Sequence, residues 1–241
     1  MKVSDIIANK IHRLPNGYIF TYKDFSLSVE NKEAAIKALN RLVEKGKINK
    51  ISKGKFYKPE TTIFGSLLPN QYQLVKDLVE EDNKITGYLT GYSTYNSLGF
   101  TTQVSNTIQI GKNNVRPNLK RERYLINFVK QNNTINKENI PYLQLLDCLK
   151  TIKKIPDTTI NKAIERCIAI FSDYQLNDIK QIVRLAQKYP PSTRALLGAL
   201  LDELQLEKYS ETLLKTLNPI TKYDFLGLKD KLTHSKKWNL L

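Results

Sequence analysis

Apolar residues first recur at helical spacing in Val3, Ile6, Ile7 and Ile11, which predicts a helix from Val3 to Arg13 with one buried face. Pro15-Asn16-Gly17 turns the chain, Tyr18-Ile19-Phe20 fits a short strand, and Tyr22 to Leu27 fits a brief second helix. A longer stripe follows a cap at Asn31. Ala35, Ile36, Leu39, Leu42 and Val43 share one face of a helix that Gly46 ends. Lys32, Lys37, Asn40 and Arg41 fall off that face, free to meet an outside partner. Lys47 to Ile51, a Ser52-Lys53-Gly54 turn and Lys55 to Lys58 then read as a hairpin. Ile48 and Ile51 are three apart, so burying both takes a bulge or an early strand end. Helix, short strand, helix, helix and a two-stranded wing is the order of a winged helix-turn-helix, closing at Pro59.

Past this point the pattern changes. Thr61, Thr62, Gly65, Ser66 and Pro69 make 60–70 read as a linker, and Gln71 to Asp82 as a helix with Tyr72, Leu74, Val75, Leu78 and Val79 inward. Gly87 to Gln103 carries three glycines and six Ser or Thr hydroxyls, with a short helix expected from Ser93 to Leu98. Such a stretch can bind phosphate at a helix start. It lacks a P-loop lysine and GxGxxG spacing, so a tight strand–helix–strand connection is the better reading. Thr107 to Ile110, Tyr124 to Val129 and Thr134 to Asn136 fit strands. Helices then dominate: Pro141 to Lys154 with Tyr142, Leu145, Leu146, Leu149 and Ile152 inward, and one capped by Asp157. The latter carries Ile160, Ala163, Ile164, Cys167, Ile168 and Phe171 inward. Two more cover 175–189 and 192–206. The expected class is α+β: a winged helix-turn-helix at 1–60, then a domain at 61–241 that is mixed α/β to about 138 and helical from about 139.

Charge sharpens the picture. The net charge is +15, and it is uneven: 1–60 carries 13 basic and 6 acidic residues, 111–154 carries 10 and 3, and 61–110 only 2 and 4. Six lysines (45, 47, 50, 53, 55, 58) occupy 45–58 with no acidic residue. A polyanion partner suits this distribution. The helix would enter the major groove through Lys32, Lys37, Asn40 and Arg41, with Lys47, Lys50, Lys53 and Lys55 of the wing on phosphate. A second basic patch, Lys112, Arg116, Lys120, Arg121 and Arg123, has no assigned partner.

The remaining chemistry is sparse. Cys148 and Cys167 are too far apart for a CxxC unit and read as core thiols of a reducing compartment. With only His12 and His234, neither a metal site nor a triad is well supplied, and no cofactor is expected. Gly65-Ser66 resembles the opening Gly-Ser of nucleotidyltransferases, but no Asp-x-Asp or Asp-x-Glu pair accompanies it. Asp147 and Asp202-Glu203 read as isolated helix residues, solvated or capping, and no enzyme is expected. Met1-Lys2 leads directly into an amphipathic helix and the longest apolar run is Ala195 to Leu201, so a cytoplasmic location is expected. Lys236-Lys237-Trp238 reads as a solvated end or a contact point.

One block carries a resemblance. Gly87-x-Leu89-Thr90-Gly91 through Leu98-Gly99-Phe100-Thr101-Thr102-Gln103 is followed by a strand ending Ile110-Gly111, a long helical region and a terminal Lys-Lys-Trp-Asn. Together with the N-terminal pattern, this resembles the AbiEi family. Those are antitoxins of type IV toxin–antitoxin systems linked to abortive infection and phage defence. The resemblance implies an autorepressor whose winged helix binds inverted repeats in its own promoter. It also implies a C-terminal domain that counters a nucleotidyltransferase-type toxin without a stable complex. Lys53 and Lys55 fit the family's positive wing, and Gly87, Thr90, Gly91, Gly99, Thr101 and Thr102 become candidates for the antitoxic role. Sequestration of a partner by direct binding and a stand-alone nucleic-acid-binding regulator remain open.

Overall fold

The computed structural model describes residues 2–25, 31–63, 65–82, 84–225, 228 and 231–241. The chain forms two compact units, Met1–Asp77 with Leu119–Leu125, and Leu78–Asn118 with Ile126–Leu241. The first unit therefore extends beyond the boundary read at residue 60 and takes in a later excursion of the chain.

The first unit opens with α1 (Val3–Arg13), β1 (Ile19–Phe20), a 3-10 turn at Tyr22–Phe25 and α2 (Lys32–Glu44). The helix expected at Tyr22 to Leu27 is thus one 3-10 turn as far as it is described; Ser26 and Leu27 lie outside the described residues. Strands β2 (Asn49–Ser52) and β3 (Lys55–Tyr57) follow, and the sheet order is β1-β3-β2, antiparallel throughout. The register slips between Lys50 and Ser52, and Ile48 and Ile51 are both buried, so the bulge that their spacing requires is present. Ile7, Ile11, Phe20, Phe25, Ala35, Leu39, Ile48 and Phe56 form the core. Phe20 sits at its centre, edge-on to Phe25 and stacked on Phe56. Helix α2 is rotated slightly from its expected stripe: Ala38 is buried and Ile36 is exposed. Asn31 occupies the cap position of α2 without a side-chain cap bond. Gly46 leaves the helix at φ 66°, a left-handed conformation that glycine adopts without strain.

The expected linker is a second hairpin. Strands β4 (Glu60–Thr62) and β5 (Gly65–Leu67) pair antiparallel with Glu60 opposite Leu67, and the Thr62 hydroxyl donates to the Gly65 carbonyl. Its β-branched threonines favour extended backbone, and polar composition alone did not separate an exposed strand from a loop. Helix α3 (Gln71–Val79) buries Leu74, Val75, Leu78 and Val79 as expected but leaves Tyr72 exposed. It ends short of Asp82, where the chain turns back with a φ of 48°.

In the second unit β6 (Glu80–Glu81) and β7 (Lys84–Ile85) form a two-stranded ribbon. Next come β8 (Gly87–Thr90), α4 (Tyr92–Tyr95) and β9 (Thr107–Lys112); β10 (Leu119–Arg121) belongs to the first unit, and β11 (Tyr124–Lys130) starts there and runs on into the second, where β11, β9 and β8 are neighbours in that order. No strand forms at Thr134–Asn136. Asparagine side chains take up the backbone there: Asn139 Nδ2 donates to Thr134 O, and Asn136 Oδ1 accepts from Asn139 N–H. The helical layer is α5 (Ile140–Lys150), α6 (Ile160–Ser172), α7 (Leu176–Ala186), α8 (Pro191–Glu203) and α9 (Glu207–Leu214). Helix α5 stops at Lys150 and a separate 3-10 turn covers Ile152–Lys154. Thr159, not Asp157, caps α6, accepting from Lys162 N–H, while Asp157 turns the chain at φ 56°. Leu143, Leu146, Cys167, Ile182, Leu197 and Leu200 are all within the helical core. The tail closes over it, with Tyr223 and Leu240 bridged in parallel and Trp238 buried. Among the described residues, no helix is long and apolar enough to cross a membrane.

Candidate nucleic-acid interface

Packing of Ala35, Ala38 and Leu39 into the core turns Lys37 and Arg41 outward on the opposite side of α2; Asn40 on its flank and Lys32 in the first turn are exposed too. Lys32 also lies over the Tyr22 ring, 5.4 Å from its centroid. Lys45 at the end of α2, Lys47 in the turn after it, and Lys50 and Lys53 on the hairpin are exposed, with Gly54 at φ 74° closing the tip. The other two lysines are committed elsewhere. Lys58 donates to the carbonyls of His12 (3.0 Å) and Leu14 (3.1 Å), where α1 ends in orphan acceptors. Lys55 pairs with Asp77, which Arg121 also grips through two hydrogen bonds of 2.6 and 2.8 Å. Burial opposes ionisation of Asp77, but hydrogen bonds from Arg121 and Lys55 outweigh it and hold the carboxyl below its usual range. Lys55 thus belongs to a structural ion cluster, and, Lys58 aside, the other four lysines of 45–58 face solvent.

The Gly87–Gln103 block is built for close packing. An ideal Cβ on Gly91 would lie 1.9 Å from Gln109 Oε1, the acceptor of the Tyr92 N–H, and φ is 53° there. At Gly99, with φ 76°, Arg166 Nε would be 2.9 Å from a Cβ; that nitrogen donates to Leu98 O. Gly87 has more room, a Cβ there lying 3.0 Å from Lys112 Cγ and 3.2 Å from Gly111 O on β9. Thr101 is buried and accepts from Gln103 N–H, whereas Thr102 is exposed. Thr90 leads to the feature that sequence reading missed.

Asp147 is 6% exposed, on the α5 face that meets β8 and the end of α7. Its carboxylate accepts from Thr90 (2.6 Å), Tyr88 (2.7 Å) and Tyr189 (2.8 Å). Gln131 lies behind, donating to both tyrosine oxygens, and its own oxygen accepts from Asn133. Desolvation raises the Asp147 pKa against the pull of those three donors and of Lys150. Desolvation and the Asp147 charge push both tyrosines far above their ordinary range. Asp202 is the second buried carboxylate: Trp238 Nε1 (2.8 Å), Lys237 (2.7 Å) and the Ser210 hydroxyl all donate to it. Burial there is outweighed by those hydrogen bonds, and its carboxyl lies below the usual range. From the sequence pattern both aspartates read as solvated or capping, and both are buried. No local signal marks Asp147, because Gln144 and Lys150, three residues away on either side, share its side of α5 and make it look like one of a polar set. Among the described residues, no group of three His, Cys, Asp or Glu is placed to hold a metal ion. Cys148, pushed up to about 12 by burial, and Cys167, raised likewise, are buried thiols.

Residues 6–179 match the family of unknown function DUF6088, and the chain belongs to that family. The structure is similar to the crystal structure of the RV2827C protein from Mycobacterium tuberculosis, with a TM-score of 0.60 at 13% identity over 98% of this chain and 89% of that one. At that identity the likeness concerns the fold alone. No curated protein matches the sequence.

Proposed function

We propose that the first unit is a winged helix-turn-helix and that the chain is a DNA-binding repressor of its own operon. The supporting observation is the outward side of α2 together with the hairpin. Lys32, Lys37, Asn40 and Arg41 stand exposed over a packed core, beside Lys47 in the turn and a hairpin whose Lys50 and Lys53 are solvated. Arg and Asn can read base edges bidentately, while lysines on a wing meet phosphate without sequence preference. With the resemblance to AbiEi, this extends to an antitoxin of a type IV system that counters a nucleotidyltransferase-type toxin without holding it in a stable complex. Gly87, Gly91 and Gly99 enter that role through the packing of their block, and Thr102 is its exposed polar member.

The test is fluorescence anisotropy of the full chain on a duplex spanning its own promoter and on a scrambled duplex, across a salt series. A repressor binds the promoter more tightly, by at least about 4 kcal/mol at physiological salt. Equal affinity for both duplexes would leave only non-specific polyanion binding and sink the repressor reading.

A further inference from the structure

A cavity of about 310 Å³ opens where β11 ends beside the C-terminal ends of α5 and α7, entirely within the second unit. Three lysines line it: Lys130 from the strand, Lys150 from α5 and Lys188 from just beyond α7. Its one acidic residue, Asp147, is buried and already committed to three hydroxyl donors. Lys150 and Lys188 alone could be explained by the negative ends of their helices, which favour cations. Lys130 lies on a strand, so helix ends do not account for the convergence. Two of the amines are steered by backbone: Lys130 donates to Asn113 O, and Lys188 to Asn132 O at 3.3 Å.

The wall behind the lysines is rigid. Gln131 and Tyr189 are both nearly inaccessible, and each is fixed by hydrogen bonds at the same hydroxyl–amide junction. A second cavity, of about 400 Å³, shares Lys130, Gln131 and Asn132 with the first and is otherwise lined by Asn113, Asn114, Asn133 and Thr134. Ammonium groups therefore adjoin a rim of side-chain amides; the nitrogens of Asn113, Gln131 and Asn133 are taken up by internal bonds, and the exposed Asn114 and Asn132 are the amides that can meet a flat polar heterocycle. Both volumes lie in the range of small-molecule sites. We propose that this double cavity is a nucleoside-phosphate site, with phosphate among Lys130, Lys150 and Lys188 and the base in the asparagine-lined recess. The phosphate belongs to a free nucleotide or to a single-stranded chain, and in either case the ligand is distinct from duplex promoter DNA.

This site rests on the second unit alone and stands whether or not the first unit is a repressor. The experiment titrates full-length protein with fluorescently labelled nucleoside triphosphates and, separately, with a labelled single-stranded RNA oligonucleotide. The comparison is with Lys150→Glu/Lys188→Glu, with Lys150→Arg/Lys188→Arg, and with a wing variant, Lys50→Ala/Lys53→Ala. The glutamate pair should weaken binding by roughly tenfold or more, because two phosphate contacts become repulsions. The arginine pair and the wing variant should bind within about twofold of the parent chain. Saturation by triphosphates identifies a free nucleotide as the ligand, and saturation by the oligonucleotide alone identifies a chain; either supports the site. The proposal is overturned if the parent chain binds neither probe at millimolar concentration, if the glutamate pair binds unchanged, or if the wing variant loses binding equally. Matching thermal unfolding of all four proteins excludes misfolding, since the substituted lysines are exposed.

Discussion

Under the proposed DNA-binding role, Arg41 and Lys53 would separate base reading from phosphate contact. Both are exposed, one on α2 and one at the hairpin tip. Arg41→Ala should reduce discrimination between promoter and scrambled duplex by about 1–3 kcal/mol if the guanidinium reads a base edge. A loss of the same size on both duplexes would assign it to phosphate instead. Lys50→Ala/Lys53→Ala should make the slope of log K against log salt shallower by about 2, while Lys55→Ala should change it by less than about 1, because that amine is held by Asp77. A larger slope change from Lys55 than from Lys53 would mean the ion cluster opens on DNA. Asp147 gives a prediction of a different kind. Its carboxyl is raised, so the folded state holds the proton more tightly than the unfolded chain. The associated stability is complete below the unfolded value of about 3.9 and is lost as pH rises through the folded value. Asp77 and Asp202 are lowered, and theirs runs the other way, present at neutral pH and lost in acid. Urea unfolding of the parent and Asp147→Asn should therefore show the parent's relative stability falling as pH is raised from 4. A difference that stays flat with pH would place the Asp147 titration outside that window. Asp147→Ala strands three hydroxyls and should cost at least about 3 kcal/mol.

At the scale of elements, the tail is a structural strap on α8. Trp238 is 1% exposed and its indole lies where a Cβ on Gly198 would sit, 2.1 Å from Trp238 Cη2. Trp238→Ala should cost about 3–5 kcal/mol and Gly198→Ala about 1–3. The double variant should cost less than the sum, since the clash disappears with the ring. Strict additivity in denaturant melts would mean that the ring moves aside. The sequence reading treated Trp238 as a solvated or contacting residue because only the nearby lysines Lys236 and Lys237 gave a pattern. Its anchors, Gly198 and Asp202, lie far back in the chain, where spacing carries no information. Elements whose own residues carry the periodic signal were legible. Val3–Arg13 is a helix over the expected span, and Ile48 with Ile51 required the bulge found at Lys50–Ser52. Elements that depend on a partner were not. The exposed β4–β5 hairpin reads as a linker, and Thr134–Asn136 looks extended although the Asn139 amide takes the Thr134 carbonyl and the Ile140 N–H that of Asn136. Gly91 and Gly99 were readable as close-packing turn glycines, their φ being 53° and 76°, but the side chains that crowd them, Gln109 and Arg166, come from later in the chain.

Across the whole molecule, positive charge that looked like two linear blocks is divided by folding into different tasks. Of the patch at 112–123, Arg121 holds Asp77 and Arg116 lies over Phe128, 5.7 Å from its centroid. Lys130 and Lys150 gather instead with Lys188, which sequence distance had hidden. This division sets how the two proposed activities are to be separated. A cut at residue 60 would part Lys55 from Asp77 and break the first unit, so a deletion confuses lost function with lost structure. Point variants avoid that. Full-length Lys50→Ala/Lys53→Ala, expressed from an unrelated promoter so that autoregulation plays no part, should lose binding to its own promoter yet still restore growth to cells producing the cognate toxin. The soluble yield and melting temperature should match the parent, because both lysines are exposed and away from the core. Mixed with purified toxin on size exclusion, it should elute separately if neutralisation needs no stable complex. Co-elution would favour direct sequestration. A soluble, normally melting variant that binds no promoter and rescues no growth would show that antitoxicity depends on DNA binding, and would end the assignment of the two activities to separate residues.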